Sequence, residues 1–585
     1  MAKKVVILGG GIGGLSAAHE LAELGGFEVH VYEGSRAVGG KAQSQFLTGT
    51  GRGGRRDLPG EHGFRFFPAW YKHIPHTMGR IPTPGGGTVA DRLVGCTQMG
   101  LAEVDERAVY RLPRHRPGSI GEFFRIIDAV ADFFAGTGVS VTDLGRFGMK
   151  MLDYMLLCEE RRRADYERVS FFDFVEGHRY TQRFQSYLNS SRFMVAMDAK
   201  NGSACTIANK ALHILLDFRR PAGSNDRVLD GPTTLRWLDP WEKYLRDRGV
   251  SFHLGRRLEA FDVDLSARRI RGVRVAGEPE PVTADYYVAA LPLERTQACI
   301  SDEMAQLDES LLRLRGAEGM TSWMVGAQYF LRRDVPVCDG HVAYPDSPWA
   351  LSSISQASFW NRRKPAAEHF ENVYGDGRAH GVLSVDICEW TRKSPRLGKS
   401  AEACTSAEEV LDEVWRQLKD ALNGAGEVSL EDDNLLCSHL DANVTFSPAG
   451  AQNPTPLLVH PPGSWYSRPD AALRGIENLL LASDYVKTAT DLATMEGANE
   501  AGRLTAVGIL AREGRRERDV ELFPMREDAG ALVARAQERD RRAWLEKKMQ
   551  QRWASGLRGP LESEPTLEAA RAYQEAVEDA LRRSA

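Results

Sequence analysis

At 585 residues the chain exceeds what one hydrophobic core usually serves, so two or more domains are expected, with room to enclose a large ligand. A formal charge of −5 and a pI near 6.3 give no support for nucleic-acid binding, and 26% charged against 42% hydrophobic residues describes an ordinary soluble protein. The eight cysteines (Cys96, Cys158, Cys205, Cys299, Cys338, Cys388, Cys404 and Cys437) are scattered with no C-x-x-C pair, which points to buried thiols in a reducing compartment, not to a disulfide frame or a metal site.

The chain begins MAKK and passes directly into an apolar strand, so no secretory signal is expected; no run approaches the ~18 apolar residues of a spanning helix. A cytoplasmic placement follows. Lys3 to Leu8 (KKVVIL) is apolar and β-branched, and it runs into Gly9, Gly10, Gly11, Ile12, Gly13 and Gly14, a G-x-G-x-x-G between strand and helix. Gly9 permits the turn, Gly11 lets a pyrophosphate approach the backbone, and Gly14 lets a helix over Leu15 to Leu24 lie close to the strand. That helix turns its first N–H groups and its dipole toward the phosphates. A second strand, FEVHVYE, ends in Glu33, near where a carboxylate binds a ribose hydroxyl; the charge would repel a 2′-phosphate, which disfavours NADP. Gly39, Gly40 and Lys41 then add a second glycine pair followed by a cation.

Residues 49–60 (GTGRGGRRDLPG) read as a solvated basic loop. In EHGFRFFPAWY, Glu61 to Tyr71, aromatics crowd around Gly63 and Pro68, which suits either a core or a backbone passing a flat ligand ring. From about Gly121 to Phe218, apolar residues such as Phe124, Ile127, Phe134, Met151 and Met155 stand at helical intervals. They predict a helical substrate region or lid, with an apolar edge suited to a membrane surface. Between Val228 and Pro292 a helix holding Trp241 to Arg248 precedes strands over Ser251 to Leu254, Leu258 to Val263, Ile270 to Val275 and Tyr286 to Ala290. Trp323 to Leu331, Ala350 to Ser355 and Val382 to Ile387 predict a second sheet that would floor an apolar pocket.

Asn478 to Ala482 is a short buried strand followed by Asp484, and Thr494 to Ala498 open a helix. Its small residues Gly497, Ala498, Ala501 and Gly502 allow close approach either of a flat ligand or of another helix. Beyond Arg512 the composition is strongly charged, with amphipathic helices expected over Ala529 to Trp553 and Leu567 to Leu581. The expected fold is therefore α/β, with a discontinuous Rossmann-like nucleotide domain at 1–75, 230–300 and 471–512. A helical region at 76–229, a mixed-sheet substrate domain at 301–470 and a charged tail at 513–585 complete it.

Four blocks carry a family resemblance: VVILGGGIGGLSAAHEL with Glu33 and GGK; HGFRFFPAWY; LDGPTTLRWLDPW; and LLLASDYVKTATDLATMEGANEAGRLTA. Over most of residues 3–510 the chain resembles the flavin amine oxidase superfamily, nearest to phytoene and zeta-carotene desaturases of plant and cyanobacterial type and to hydroxysqualene dehydroxylases. The resemblance implies FAD, with Gly9, Gly11, Gly13, Gly14 and Glu33 at its ADP half and Gly40 and Lys41 beside them. It puts Asp484 at the ribityl or pyrophosphate region and the Met495 backbone at the pyrimidine edge of the isoalloxazine, where a helix start favours negative charge on reduced flavin.

Arg65 stands where these desaturases often have histidine, which leaves the substrate open, and Ser483 stands where glycine is usual. The implied reaction is hydride transfer between flavin N5 and a carbon of an apolar, isoprenoid or polyene molecule. His62, Arg65 and Tyr71 are catalytic candidates by position only. Reductive dehydroxylation or isomerisation of an isoprenoid, amine oxidation, and a flavin-stabilised scaffold without turnover are the alternatives.

Overall fold

The Lys3–Leu8 strand buries side chains on both faces: Val5 and Ile7 pack with Leu15, Ala18 and Leu21, while Val6 and Leu8 pack with Tyr287 and Leu479. An unbroken apolar run is used in this way by a central parallel strand covered on both sides. In the computed structural model, which describes residues 2–104, 109–114, 119, 121, 136–189, 192–216, 226–426, 428–525 and 530–554, it is the middle strand of a five-stranded, all-parallel sheet. The order is Ser251–Leu254, Phe27–Glu33, Lys3–Leu8, Tyr286–Ala289, Leu479–Leu481, so one sheet is assembled from three distant stretches of chain. The Ile12–Leu24 and Met495–Arg512 helices pack against each other beside it. A Cβ on Gly502 would stand 2.5 Å from the Gly13 carbonyl oxygen, so this glycine serves helix packing.

A seven-stranded sheet forms the second layer, in the order Leu435–Leu440, Val325–Leu331, Gly381–Ile387, Leu351–Ser355, His341–Ala343, Gln98–Leu101, Tyr110–Pro113. It is mixed: His341–Ala343 runs parallel to Gln98–Leu101 and the other pairs are antiparallel. Leu383, Val385 and Ile387 pack with Val410, Val414 and Leu418 of the Ala407–Leu422 helix. The strand period of two then turns Ser384 and Asp386 to the opposite face.

Two expectations are corrected. The 76–229 region does contain helices (Val141–Leu156, Glu159–Tyr166, Gln182–Leu188 and Ala204–Leu216), but it also supplies strands Leu93–Cys96, Gln98–Leu101, Tyr110–Pro113 and Asp226–Leu229. These are short, and the Gln98–Leu101 strand finds a partner as distant as His341–Ala343, so no local pattern announces them. Phe124, Ile127 and Phe134 lie outside the described residues. The 49–60 segment is not loop throughout: Leu58–Glu61 pairs with Ser44–Leu47, and Pro59, which reads as a strand breaker, sits in this two-stranded edge.

In the tail, Ala531–Ala554 is a single helix, held to the helical region by Arg161–Asp540 at 2.5 Å and Arg541–Glu160 at 3.0 Å. The expected Leu567 to Leu581 helix lies outside the described residues. Among the described residues no helix is long and apolar enough to cross a membrane. The eight cysteines are free thiols, six buried and Cys299 and Cys437 half-buried.

Candidate active site

A cavity of 1140 Å³ lies across the carboxyl ends of the parallel strands, touching Gly9, Glu33, Ala290 and Ala482, and extends to His341, Ala343 and Asp386 on the second sheet. The crevice outside the carboxyl ends of such a sheet is where open α/β folds bind ligands. Gly9, Gly11, Gly13, Glu33, Gly40, Lys41, Asp484, Met495, His62, Arg65 and Tyr71 all line it; Gly14 does not. Gly14 acts underneath, where a Cβ would stand 2.0 Å from the Gly9 carbonyl oxygen and force the helix off the strand.

At one end the glycines divide by function. Gly9 has φ +115°, and a Cβ there would meet the Ala290 carbonyl oxygen at 2.4 Å; a Cβ on Gly13 would meet that of Ala482 at 1.9 Å. A Cβ on Gly11 would meet nothing within 4 Å, so its missing side chain leaves open space in the cavity. The Ile12–Leu24 helix has no side-chain cap, and its first N–H groups are left for a ligand. Glu33 accepts from Gly10 N–H at 2.7 Å through one oxygen, and from Ser35 N–H and hydroxyl at 2.7 and 2.8 Å through the other. The Lys41 ammonium donates to the Pro456 carbonyl, so it ties the glycine pair to the opposite wall.

Along the cavity come Ser483, Asp484 and the start of the Met495–Arg512 helix. Thr494 caps that helix by accepting from Gly497 N–H at 3.1 Å. Its two glutamates serve the scaffold. Glu496 accepts from the Lys72, His73 and Ile74 N–H groups at 2.7, 2.7 and 2.9 Å, and Glu500 from Ala489 and Thr490 N–H at 2.7 and 2.9 Å. Next door Asp491, strained at φ +44°, accepts from Arg468 and Arg163, each at 2.8 Å, which fixes the turn leading into Thr494.

The aromatic block is both core and wall. Phe67, Trp70 and Tyr71 are buried and packed edge to face, while Phe64, Arg65, Phe66, Trp70 and Tyr71 face the cavity. Burial and the Glu496 charge push the Tyr71 hydroxyl well above its ordinary range, against the hydrogen bond to Thr494, so Tyr71 stays protonated. Arg65 donates from Nη2 to the Lys41 carbonyl at 2.5 Å, and its buried Nε has no partner among the described residues. His62 donates from Nδ1 to Asp441.

Sequence reasoning missed several polar residues on this wall. Asp386 is 4% exposed, and burial lifts its carboxyl to about 7 against the opposing Arg65 charge. Glu61, next to the wall but not part of the cavity lining, is likewise pushed up by burial, with Arg65 opposing. Farther along, Arg114 pairs with Asp226 at 3.1 Å, and burial brings His341 down to about 4, so it is neutral. A charged residue within LSVDI was the available signal for Asp386. Arg114, Asp226 and His341 carried none, because only the tertiary fold brings them together.

A family model described as flavin containing amine oxidoreductase matches residues 12–510. The chain belongs to that family. It is a flavin-containing oxidoreductase, and its relatives are spread across the family's chemistry. The 15-cis-phytoene desaturase of Synechococcus elongatus is 23% identical over 537 residues, covering 88% of this chain and 97% of that protein. Among solved structures, cyclohexylamine oxidase from Brevibacterium oxydans matches with TM-score 0.54 at 14% identity, covering 88% of this chain and 100% of that one. A putrescine oxidase bound to putrescine matches with TM-score 0.55 at 13% identity and the same coverage. At these identities the structures share the fold.

Proposed function

We propose that the protein is an FAD-dependent oxidoreductase that moves hydride between flavin N5 and a carbon of an apolar, isoprenoid or polyene substrate. One observation carries the reading: a single cavity runs from the glycine turn to a chamber edged by Phe64, Phe66, Met99, Leu101, Phe193 and Ile214. At 1140 Å³ it exceeds the ~300–1,000 Å³ that usually serves one small ligand, as a cofactor and a substrate side by side require. The residues fit a dinucleotide flavin. The open space at Gly11, the uncapped helix start and Glu33 form an end that a mononucleotide would leave empty.

On this reading 1–75, 230–300 and 471–512 form a discontinuous Rossmann-like FAD domain, with the rest of the core providing the substrate side. Gly9, Gly11, Gly13, Glu33, Gly40 and Lys41 hold the ADP half, Gly14 supports them from below, and Asp484 and the Met495 backbone attend the ribityl and ring. The bound flavin supplies a two-electron acceptor for hydride. The chain orients the substrate carbon and, through Phe64, Phe66 and Trp70, excludes water. The desaturase relative supports the apolar substrate. Amine oxidation is the second reading, favoured by the family's description.

Anaerobic mixing of the flavoprotein with phytoene, putrescine or NADPH, followed by flavin absorbance, tests this. Bleaching by phytoene alone is expected. Bleaching by the amine moves the assignment to the second reading, bleaching by NADPH alone to a reductive or isomerising enzyme, and no bleaching by any of them contradicts the proposal.

A further inference from the structure

Asp441 follows the Leu435–Leu440 strand with its side chain fully buried, and its carboxylate is crowded with donors. His62 Nδ1 donates to one oxygen; Gln45 Nε2 at 2.5 Å and Asn443 N and Nδ2 at 3.0 and 2.9 Å donate to the other. Burial alone would raise this carboxyl, but the hydrogen bonds from His62, Asn443 and Gln45 outweigh it, so Asp441 stays ionised.

The two backbones are locked as well. Gly326 N–H donates to the His62 carbonyl at 2.8 Å, and Gly326 accepts from Asp441 N–H at 3.0 Å. A Cβ on Gly326 would stand 2.7 Å from the Glu61 carbonyl oxygen and the Gly63 nitrogen, so no other residue lets the strand lie this close. With Nδ1–H committed to Asp441, the lone pair of the ring is on Nε2, which has no hydrogen-bond partner among the described residues. His62 is one of the residues lining the cavity, together with Gly63, Arg65 and Met324.

We infer that His62, oriented by Asp441, is the base that accepts a proton from the substrate as the neighbouring carbon gives up hydride. The inference rests on the proposed flavin oxidoreductase reading and narrows it to an oxidative reaction in which a carbon acid loses a proton. Two C–H bonds on adjacent saturated carbons break. One hydrogen leaves with its electron pair to the flavin, the other leaves as a proton to His62 Nε2, and the pair left behind becomes the new C=C bond. The substrate loses two electrons, the flavin gains them, and the imidazolium formed stands against the Asp441 carboxylate.

The other titratable and charged groups near the ring are Glu61 and Arg65 on its own segment, Asp386 on Gly381–Ile387, His439 on Leu435–Leu440, and Lys41. The test compares wild type, H62Q and D441N as purified flavoproteins. In wild type the rate of anaerobic bleaching by phytoene should rise with pH through one ionisation. H62Q should slow it about 100-fold or more and flatten the profile, while D441N moves the ionisation to lower pH. Bleaching by dithionite should be unchanged in both variants. An H62Q variant that retains flavin, bleaches at the wild-type rate and keeps the pH profile overturns the inference.

Failure of wild type to respond to phytoene counts against the substrate reading, and the histidine-ring ¹⁵N spectrum then decides the role of His62. A bare Nε2 that protonates, at lower pH in D441N, sustains it. A proton on Nε2, or a ring silent from about pH 5 to 9, rules the base out.

Discussion

Gly11 and Gly13 stand two residues apart in one turn and make opposite demands. A side chain at Gly11 meets nothing, and its backbone (φ −73°, ψ −178°) is one any residue adopts, whereas a Cβ at Gly13 would stand inside the Ala482 carbonyl. Gly11→Val is therefore expected to fold with near-normal thermal stability when stripped of flavin, yet to purify with little flavin. Gly13→Ala should lower the stability of the stripped protein itself. Equal flavin content in wild type and Gly11→Val would mean that the turn does not hold the cofactor.

Asp386 makes a pH-dependent contribution. Its carboxyl is raised from an ordinary 3.8 to about 7, so the folded state binds the proton more tightly than the unfolded chain. Stability from this group is present below the ordinary carboxylate range and is lost as pH rises through about 7. Asp386→Asn should thus gain a few kcal/mol at pH 8, from about 1.4 kcal/mol per pKa unit, and nothing near pH 4. Denaturant melts at the two pH values check both the size and the sign.

At the scale of elements, the start of the Met495–Arg512 helix is tied down by several hydrogen bonds from elsewhere in the chain. Thr494 caps it and also meets the Tyr71 hydroxyl, Glu496 gathers three N–H groups from the chain at Lys72 to Ile74, and Glu500 gathers two from Ala489 and Thr490. Thr494→Ala should cost about 0.5–2 kcal/mol through the lost cap, and it should shift the flavin reduction potential because the same turn borders the cavity at Met495. A stability loss with an unchanged potential would confine Thr494 to the scaffold.

The sequence made this helix legible through its small residues and the strand before it, but not the use of its acids. Glu496 and Glu500 read as ordinary helix glutamates, because their partners lie at the start of another helix and in a loop. The parallel strands were legible for the opposite reason: Lys3 to Leu8, Phe27 to Glu33 and Tyr286 to Ala290 each carry a local apolar run. Gln98–Leu101 and Tyr110–Pro113 carry none; the first is a strand because the distant His341–Ala343 edge accepts it, and the second because it pairs with the first.

For the whole molecule, two sheets of different origin close on one cavity, and the Ala531–Ala554 helix of the charged tail packs against the helical region. Trp544 is buried on that tail and the Arg161–Asp540 and Arg541–Glu160 pairs flank it. Removal of residues 530–585 is expected to lower stability by about 2–3 kcal/mol, the burial of one large aromatic side chain, and to leave the flavin content unchanged. Loss of flavin in the truncated chain would give the tail a part in the site.

The glycine turn with Glu33 was legible from spacing alone. The His62–Asp441 pair was half legible: His62 stood out in its aromatic block, whereas Asp441 sits far along the chain in a stretch with no motif. What the sequence could not supply was the joining of the nucleotide end and the apolar chamber into one space.

That joining rests on a dinucleotide flavin filling the Gly11 and Glu33 end. The direct measurement is the mass and stoichiometry of the cofactor released on heating the purified protein. FAD at one per chain is the predicted result. FMN, or a colourless protein that takes up no FAD, would contradict the account.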